Sequence, residues 1–290
     1  MKNVAELSAL IGLERIEDNL FRGQSYQTNW GRVYGGQVLA QALHAANLTV
    51  PEDRMAHSLH AYFILAGDVD LPVIYEVDRI RDGGSFATRR VKAIQKGRAI
   101  FNMSASFQVR EEGIEHQIDM PNVPGPEALL SDVELAESFK DTLPDLYKRY
   151  RTPRPIEFKP VERVYFLYPH PHQPRRHVWI REKGEIVDSL RLHQEIFVFA
   201  SDYNLLTTAI LPHQDIVRFD QLMLASLDHA IWFHREFRMD EWLLLALESP
   251  IAGNARGFTK GSLFNTRGQL VASVVQEGLI RVRHGQPPQQ

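Results

Sequence analysis

The feature that most constrains how this chain can fold is an internal repeat. The first copy contains "YGGQVLAQALHAAN" (34–47), "HSLHAYFILAG" (57–67) and "SFATRRVKAIQKGRAIFNMSASFQV" (85–109). The second contains, in the same order, "LHQEIFVFASDYN" (192–204), "ASLDHAIWFH" (225–234) and "GFTKGSLFNTRGQLVASVVQEG" (257–278). Two copies of one pattern predict two bodies of the same architecture, which can bury apolar surface against each other.

Each copy is predicted to contain one helix followed by about four antiparallel strands. The first segments place apolar residues at helical spacing; these are Val38, Leu39, Ala42 and Leu43 in one copy and Leu192, Ile196, Phe199 and Ala200 in the other. The later segments alternate around the dipeptides Lys96-Gly97 and Arg267-Gly268, which is typical of hairpins. One more strand is expected before the first helix, in "DNLFRGQSY" (18–26). A single apolar helix can cover one apolar sheet face.

A proline-rich stretch separates the two copies. Both "MPNVPGPEALL" (120–130) and "RTPRPIEFKP" (151–160) contain several prolines, which is typical of loops. Between them, Ser131 and Glu134 predict a capping box at the start of a helix over 131–143. We therefore expect an N-terminal body at 1–113, a linker with one helix at 114–160, and a C-terminal body at 161–290.

Composition excludes several classes of protein and of site. The 290 residues include 33 Lys and Arg against 36 Asp and Glu, a formal net charge of -3, which argues against nucleic acid as a partner. There is no cysteine, and therefore no disulfide, no thiolate-ligated metal and no cysteine nucleophile. No serine-nucleophile elbow, P-loop or H-E-x-x-H zinc motif occurs. We expect neither a metal nor an organic cofactor.

The chain carries no recognisable membrane or targeting segment. No apolar run approaches the roughly eighteen residues that span a bilayer, so we expect no membrane partner. Residues 1–20 carry acidic side chains and lack the uninterrupted apolar segment of a signal peptide. The final residues, "HGQPPQQ", match neither a retention nor a peroxisomal signal. We therefore expect a cytoplasmic location.

Several motifs resemble those of the acyl-CoA thioesterase II family. They are "FRGQS" with "GRVYGGQVLAQAL", "HSLHAYF", "DHAIWFH", and "ARGF" with "GQLVASVVQEG". The resemblance covers nearly the whole chain and is weakest across 110–175. It implies an α+β double hotdog fold, in which each half wraps a curved antiparallel sheet around a long central helix. It also implies hydrolysis of medium- to long-chain fatty acyl-CoA to free acid and CoA, by a homo-oligomer such as a dimer or tetramer.

The resemblance points to three catalytic residues, which are Asp202 in "ASD", Ser226 before "DH", and Gln276 in "VQEG". Thioester hydrolysis needs an oriented nucleophile but little help for the leaving group, because an alkyl thiol has a pKa near about 8.5. Asp202 can accept a proton from water while Ser226 and Gln276 orient that water. Asp228 is the main alternative carboxylate, since on a strand it would share a face with Ser226. Taken alone, each residue also fits a purely structural role.

Two histidines, His229 and His234, follow Ser226 and raise the question of a metal site. Their separation of five residues puts them on opposite faces of a strand, and no other ligand spacing supports them. We expect both to be structural histidines with hydrogen-bond partners. The same is expected for the histidines of "YPHPHQP" (168–174), whose prolines predict a loop.

Alignment of the two copies predicts one working site per chain. Matching "QALHAA" with "FASDYN" puts His44 opposite Asp202, and Ser58 falls opposite Ser226. The carboxylate then occurs only in the second copy, and we expect the site to lie between the copies.

The first helix is expected to contribute an oxyanion-binding amide to that site. The backbone N–H of Gly36 or Gln37 lies at the predicted helix N-terminus, which is the positive end of the helix dipole. The alternative is that Gly35-Gly36 only allows a tight entry into the helix.

Four basic residues are candidates for binding the phosphates of CoA, namely Arg89, Arg90, Arg256 and Lys260. Arginine and lysine suit phosphate oxygens. The alternative is that these charges are solvated or protect a sheet edge.

Two other functions stay open. An enoyl-CoA hydratase-like hotdog enzyme would pair its Asp with a His five residues later, where this chain has Thr207. A catalytically inert acyl-CoA-binding protein would not need the three polar residues.

Overall fold

The computed structural model describes residues 1, 3–28, 31–162 and 173–283, without the side chains of residues 145, 146 and 149. The loop predicted at 168–174 lies outside the described residues, except for its last two positions. The helices in the described part are α1 (Val4–Ile11), α2 (Gly35–Asn47), α3 (Asp132–Ala136), α4 (Pro144–Arg151), α5 (Leu190–Ser201) and α6 (Leu205–Thr208). The strands there are β1 (Glu14–Glu17), β2 (Leu20–Gly23), β3 (Arg54–Phe63), β4 (Val73–Asp82), β5 (Phe86–Gln95), β6 (Arg98–Val109), β7 (Ile156–Pro160), β8 (Arg175–Glu182), β9 (Leu222–Ser226), β10 (Asp228–Phe233), β11 (Leu243–Gly253), β12 (Arg256–Asn265) and β13 (Leu270–Val282).

All of these strands join one antiparallel sheet. Its order is β1-β2-β4-β5-β6-β3-β10-β13-β12-β11-β8-β7, and β9 pairs with β13 off this path. The order has two similar halves, which meet where β3 pairs with β10, with Leu59 opposite Ile231. The repeat in the sequence is therefore a repeat in the fold, and one continuous sheet joins the two copies.

The two long helices, α2 and α5, lie side by side and run in opposite directions. Gly36 at the start of α2 contacts Asp202 after the end of α5, and Asn47 at the end of α2 contacts Arg191 in α5. Both helices are buried on nearly every side, as expected of helices with few charged residues. A Cβ on Gly36 would lie 2.3 Å from the Phe199 carbonyl oxygen, so this crossing requires glycine.

The linker is shorter than predicted, and its helix is interrupted. β7 pairs with β8 from Ile156 onwards, so the last five residues of the predicted linker belong to the sheet. The capping box is present, since Ser131 Oγ accepts from the Glu134 amide at 3.2 Å and the Glu134 carboxylate accepts from the Ser131 amide at 2.7 Å. α3 nevertheless ends at Ala136 and a 3-10 turn follows.

Part of the linker covers the outer face of the second half of the sheet. An apolar cluster of Trp179, Trp242, Leu244 and Phe264 packs there against Met120, Val123 and Leu129. The indole N–H of Trp179 also donates to the Pro124 carbonyl at 2.9 Å. The inner face forms one larger core with the helices. None of the described helices has the length and apolar character needed to cross a membrane.

Strand register corrects one of the predicted equivalences between the copies. In the first copy the pairing of β3 with β6 shifts by one residue between Ala56 and Ser58. In the second copy the same one-residue shift falls at Leu227, between β9 and β10. Ser226 therefore corresponds to Ala56, and Ser58 corresponds to Asp228. The short match between the copies could not show this, because it contains no sign of the bulge.

The helix ends correct the other predicted equivalence. Asp202 is the C-cap of α5, whereas the C-cap of α2 is Leu48 and not His44. Apolar residues on a helix recur every three or four positions, so an alignment by pattern can slip by one turn.

Candidate active site

The three predicted catalytic side chains meet at one point. Asp202 caps the C-terminus of α5, Ser226 ends β9, and Gln276 lies in β13 on the inner face of the sheet. The amide Nε2 of Gln276 donates to Asp202 Oδ1 at 2.7 Å and to Ser226 Oγ at 2.8 Å. The Ser226 hydroxyl donates to the same Asp202 oxygen at 3.2 Å. Residues that are far apart in sequence thus form one hydrogen-bonded group.

The first helix contributes a backbone donor to this group. The Gly36 N–H donates to Asp202 Oδ2 at 3.1 Å, which places the carboxylate beside the positive N-terminus of α2. A Cβ on Gly35 would lie 2.7 Å from the same carboxylate oxygen, so the approach depends on glycine there too. In the structure, an oxyanion would therefore have to compete with Asp202 for this N–H.

The donors of Gln37, the other oxyanion candidate, also have partners in the structure. Its backbone N–H donates to the Tyr34 carbonyl at 3.1 Å. Its side chain is fully buried, where it accepts from the Tyr26 amide at 2.9 Å and donates to the Gln24 carbonyl at 2.9 Å. Gln37 fixes the segment before α2 and does not face the site with a free donor.

Burial makes Asp202 a weaker acid than an ordinary aspartate. Desolvation raises its pKa to about 6, although the hydrogen bonds from Gln276, Ser226 and the Gly36 amide act in the opposite direction. The three hydrogen-bond donors stabilise the carboxylate anion, while its removal from water destabilises the same anion.

Two tyrosines that sequence analysis missed form part of this surrounding. The Tyr34 and Tyr203 rings lie 5.0 Å apart, and the Tyr34 hydroxyl donates to the Phe199 carbonyl at 2.9 Å. Burial raises the pKa of both phenols, and the nearby charge of Asp202 adds to the effect. The only signal in the sequence was their position next to Gly35-Gly36 and Asp202.

Known proteins share this architecture and sequence. Two family models match, an acyl-CoA thioesterase N-terminal domain over residues 25–108 and an acyl-CoA thioesterase domain over residues 151–279. Human acyl-coenzyme A thioesterase 8 is 41% identical over 289 residues, covering 96% of this chain and 89% of that protein. The acyl-CoA thioesterase 2 of Haemophilus influenzae is 40% identical over 276 residues, covering 94% of this chain and 96% of that protein. The chain belongs to the acyl-CoA thioesterase family.

Solved structures confirm the predicted fold. The crystal structure of an acyl-CoA thioesterase II from Mycobacterium marinum has a TM-score of 0.80 and 39% identity, over 97% of this chain and 100% of that one. A protein with the hot dog fold from Alicyclobacillus acidocaldarius has a TM-score of 0.77 at 17% identity, over 96% and 98% of the two chains. The α+β double hotdog fold and the thioester hydrolase class predicted from the sequence are therefore confirmed.

The alternative carboxylate and the histidines of this thioesterase have other hydrogen-bond partners than Asp202, Ser226 and Gln276. Asp228 accepts from the Glu277 amide at 2.7 Å. His229 Nε2 bonds Ser201 Oγ at 2.9 Å, and burial lowers the pKa of this histidine to about 3, so it is neutral. His234 Nε2 bonds Ser273 Oγ at 2.9 Å. In the described residues no three potential metal ligands come together.

The predicted CoA-binding residues differ in their surroundings. Arg89 is 1% exposed, and its guanidinium already donates to Thr49, Asp82 and the carbonyls of Arg81 and Thr88. These contacts argue against Arg89 as a ligand of CoA. The other three candidates are partly exposed and each is paired with a carboxylate, namely Arg90 with Asp78 at 2.7 Å, Arg256 with Glu277 at 2.9 Å and Lys260 with Glu248 at 2.6 Å.

The opposite end of the helix pair has different contents. We call the two ends the Asp202 end and the Arg191 end. At the Arg191 end, the guanidinium of Arg191 donates to the carbonyls of Asn47 at 2.9 Å, Pro51 at 2.6 Å and Arg54 at 3.1 Å. Arg89 pairs across the sheet with Ala105. In the second copy the equivalent pair is Thr259, which corresponds to Arg89, and Gln276, which corresponds to Ala105. Arginines thus occupy the space where the other end holds the carboxylate and the amide.

Proposed function

We propose that this thioesterase hydrolyses medium- to long-chain fatty acyl-CoA to free fatty acid and CoA, with Asp202 as the general base. The observation that carries the proposal is one carboxylate with a pKa raised to about 6, in contact with a serine hydroxyl and a glutamine amide. A general base works best when its pKa lies near the operating pH, and burial brings this carboxylate closer to neutrality.

In the proposed mechanism, water attacks the carbonyl carbon of the thioester. Asp202 takes a proton from that water while Ser226 and Gln276 restrict its orientation. The tetrahedral intermediate then collapses, the C–S bond breaks and the thiolate leaves without a strong acid, because its thiol has a pKa near about 8.5. We expect the positive end of the α2 dipole to stabilise the negative charge on the carbonyl oxygen.

The two alternative functions have less support. A hydratase needs an acid near its aspartate, but Thr207 occupies the expected position and bonds the Asn204 carbonyl at 3.1 Å. An inert binding protein has no use for a carboxylate whose charge is destabilised by burial. Arg90, Arg256 and Lys260 stay candidates for the CoA phosphates, which would have to compete with their present carboxylate partners.

The test is thiol release from palmitoyl-CoA, followed with a thiol-reactive dye. The protein has no cysteine and so gives no background signal. We expect turnover by the wild type, its collapse in Asp202→Asn, and near-normal turnover in Asp228→Asn as the matched control. Turnover that survives Asp202→Asn but not Asp228→Asn would move the base to Asp228. Acyl-CoA binding without turnover at any chain length would instead favour the inert binding protein.

The predicted cytoplasmic location and the assembly into a dimer or tetramer stay predictions.

A further inference from the structure

Next to the catalytic group lie two buried polar atoms that lack partners. Gln276 is 1% exposed, and its carbonyl Oε1 has no hydrogen-bond partner among the described residues. Thr259 is 0% exposed, and in the same described part of the chain its hydroxyl also has none. Buried polar groups are rarely left unpaired, because each costs free energy. The missing hydrogen-bond partners of these two neighbouring atoms can have one common explanation.

The register of the sheet puts these two side chains next to each other. Thr259 of β12 lies directly opposite Gln276 of β13. Directly opposed residues in antiparallel strands point to the same face, with Cβ atoms roughly 4.5 to 5.5 Å apart. One atom is a hydroxyl that can donate, and the other is a carbonyl oxygen that can only accept. They are chemically complementary as well as adjacent.

Apolar side chains close the space around this pair. On β12, a Cβ at Gly257 would lie 2.6 Å from the Cβ of Ala209, and on β13 a Cβ at Gly278 would lie 2.5 Å from Leu206. Gly257 is two residues from Thr259, and Gly278 is two residues from Gln276, so each glycine lies on the same face of its strand as that side chain. Leu206 of α6 and Ala209 therefore pack onto this face of the sheet. The Thr259 hydroxyl is out of contact with bulk solvent, and Gln276 Oε1 is an acceptor on the opposed residue.

We propose that Thr259 is a positioning residue, whose hydroxyl donates to Gln276 Oε1 in the working enzyme and so holds Nε2 on Asp202 and Ser226. The structure records no hydrogen bond between the two atoms. Contacts in an active site are often long without substrate and tighten when substrate binds. The proposal rests on the proposed function, since it concerns how Gln276 is held against Asp202, the proposed general base.

The first copy of the repeat supports this assignment. There the same pair of positions holds Arg89 opposite Ala105. Ala105 has no side-chain amide that could be oriented. Arg89, the residue opposite, donates instead to Thr49 and Asp82. The threonine hydroxyl therefore occurs in the copy that has the glutamine.

The kinetic test compares three variants on palmitoyl-CoA. Thr259→Val keeps the shape of the side chain and removes the hydroxyl, Thr259→Ser keeps the hydroxyl, and Thr208→Val removes a fully buried hydroxyl that bonds the Asn204 carbonyl at 3.0 Å. We expect Thr259→Val to lower kcat roughly ten- to a hundredfold with KM unchanged, because a small misplacement costs that much. Thr259→Ser should restore most of kcat, and Thr208→Val should leave it unchanged.

A second readout needs no substrate. Titration of the Asp202 carboxyl by carbon-13 NMR should show a higher pKa in Thr259→Val than in the wild type, because a loosely held Gln276 supports the anion less. Thr259→Ser and Thr208→Val should titrate like the wild type. If the wild type hydrolyses no acyl-CoA, the proposed function fails, but this titration still decides the role of Thr259. Normal kcat with an unshifted Asp202 in Thr259→Val would overturn the proposal. So would a loss of kcat that serine does not rescue and that leaves the Asp202 titration unchanged.

Discussion

The two ends of the α2–α5 helix pair show how one fold can hold a reactive group at one place and a fixed contact at the equivalent place. At the Asp202 end, a carboxylate faces the N-terminus of α2, with a serine, a glutamine and a glycine amide as donors. At the Arg191 end, a guanidinium bonds carbonyls at and beyond the C-terminus of α2. Burial disfavours the charged form of both side chains, but the hydrogen bonds of Arg191 also connect its helix to the chain beyond α2. The fold therefore supplies equivalent positions at the two ends, and the side chain at each position decides its use.

The largest expected effect comes from the same chemical change made at each end. Asp202→Asn should lower kcat about 10²- to 10⁴-fold, as expected for loss of a general base. Glu195 is also a buried carboxylate, and it accepts from His44 at 3.0 Å and Asn47 at 2.7 Å. Glu195→Gln should leave kcat within about twofold but lower the free energy of unfolding by about 1 to 3 kcal/mol. Steady-state kinetics and urea unfolding measure both. A comparable loss of kcat in Glu195→Gln would mean that both ends take part in catalysis.

Removal of the guanidinium at the Arg191 end should act on stability alone. Arg191→Met leaves four carbonyls without their charged donor, and we expect the free energy of unfolding to fall by about 3 kcal/mol while kcat is kept. Arg175, whose side chain is 68% exposed and lies 3.9 Å from Glu248, is the matched control. Arg175→Met should change stability by less than about 1 kcal/mol. Equal melting curves for the two variants would contradict the structural role of Arg191.

The raised pKa of Asp202 should appear in the pH dependence of stability. Its pKa is about 6 in the folded protein and about 3.9 in the unfolded chain, so the folded state holds this proton more tightly. Wild-type stability should therefore fall as the pH rises from 4 to 6, whereas Asp202→Asn lacks this loss. We expect the variant to be the more stable protein at pH 7 by about 2 to 3 kcal/mol, and equal to the wild type below pH 4. Unfolding in urea at several pH values checks this, and a constant difference would refute it.

The smallest expected effect concerns His44 at the Arg191 end. Burial lowers its pKa, but the hydrogen bond and the charge of Glu195 outweigh this and raise it overall. Stability from this pair should be fully present below about pH 6.5 and disappear as the pH rises through the folded pKa. His44→Gln should therefore cost about 1 kcal/mol at pH 5.5 and less at pH 9. A penalty independent of pH would show that packing, and not the charge, is what His44 contributes.

The repeat, the central helices and the three residues that meet at the Asp202 end are predictable from the sequence. The correspondence between the copies is not, because no residue pattern marks the bulge at Leu227. β7 is also not predictable, because it begins directly after Pro155 and ends at Pro160. Proline is compatible with an edge strand but usually indicates a loop.

The burial of Arg89 could be predicted from the sequence. In β5, Arg89 has the same parity as Val91 and Ala93, which face the core, whereas Arg90 and Lys92 point the other way. An arginine on the apolar face of a strand is buried and bonded, and strand alternation alone would have separated it from its neighbour.

The pairing of β3 with β10 within one chain has a further consequence. In a symmetric dimer of a single-copy protein, every substitution occurs twice, once at each equivalent position. A carboxylate at one end would then require the same carboxylate at the other, with the same cost of burial. Because this chain carries both copies on one polypeptide, each end can change alone. The Arg191 end can therefore hold a fixed guanidinium contact while the Asp202 end keeps a buried ionisable carboxylate.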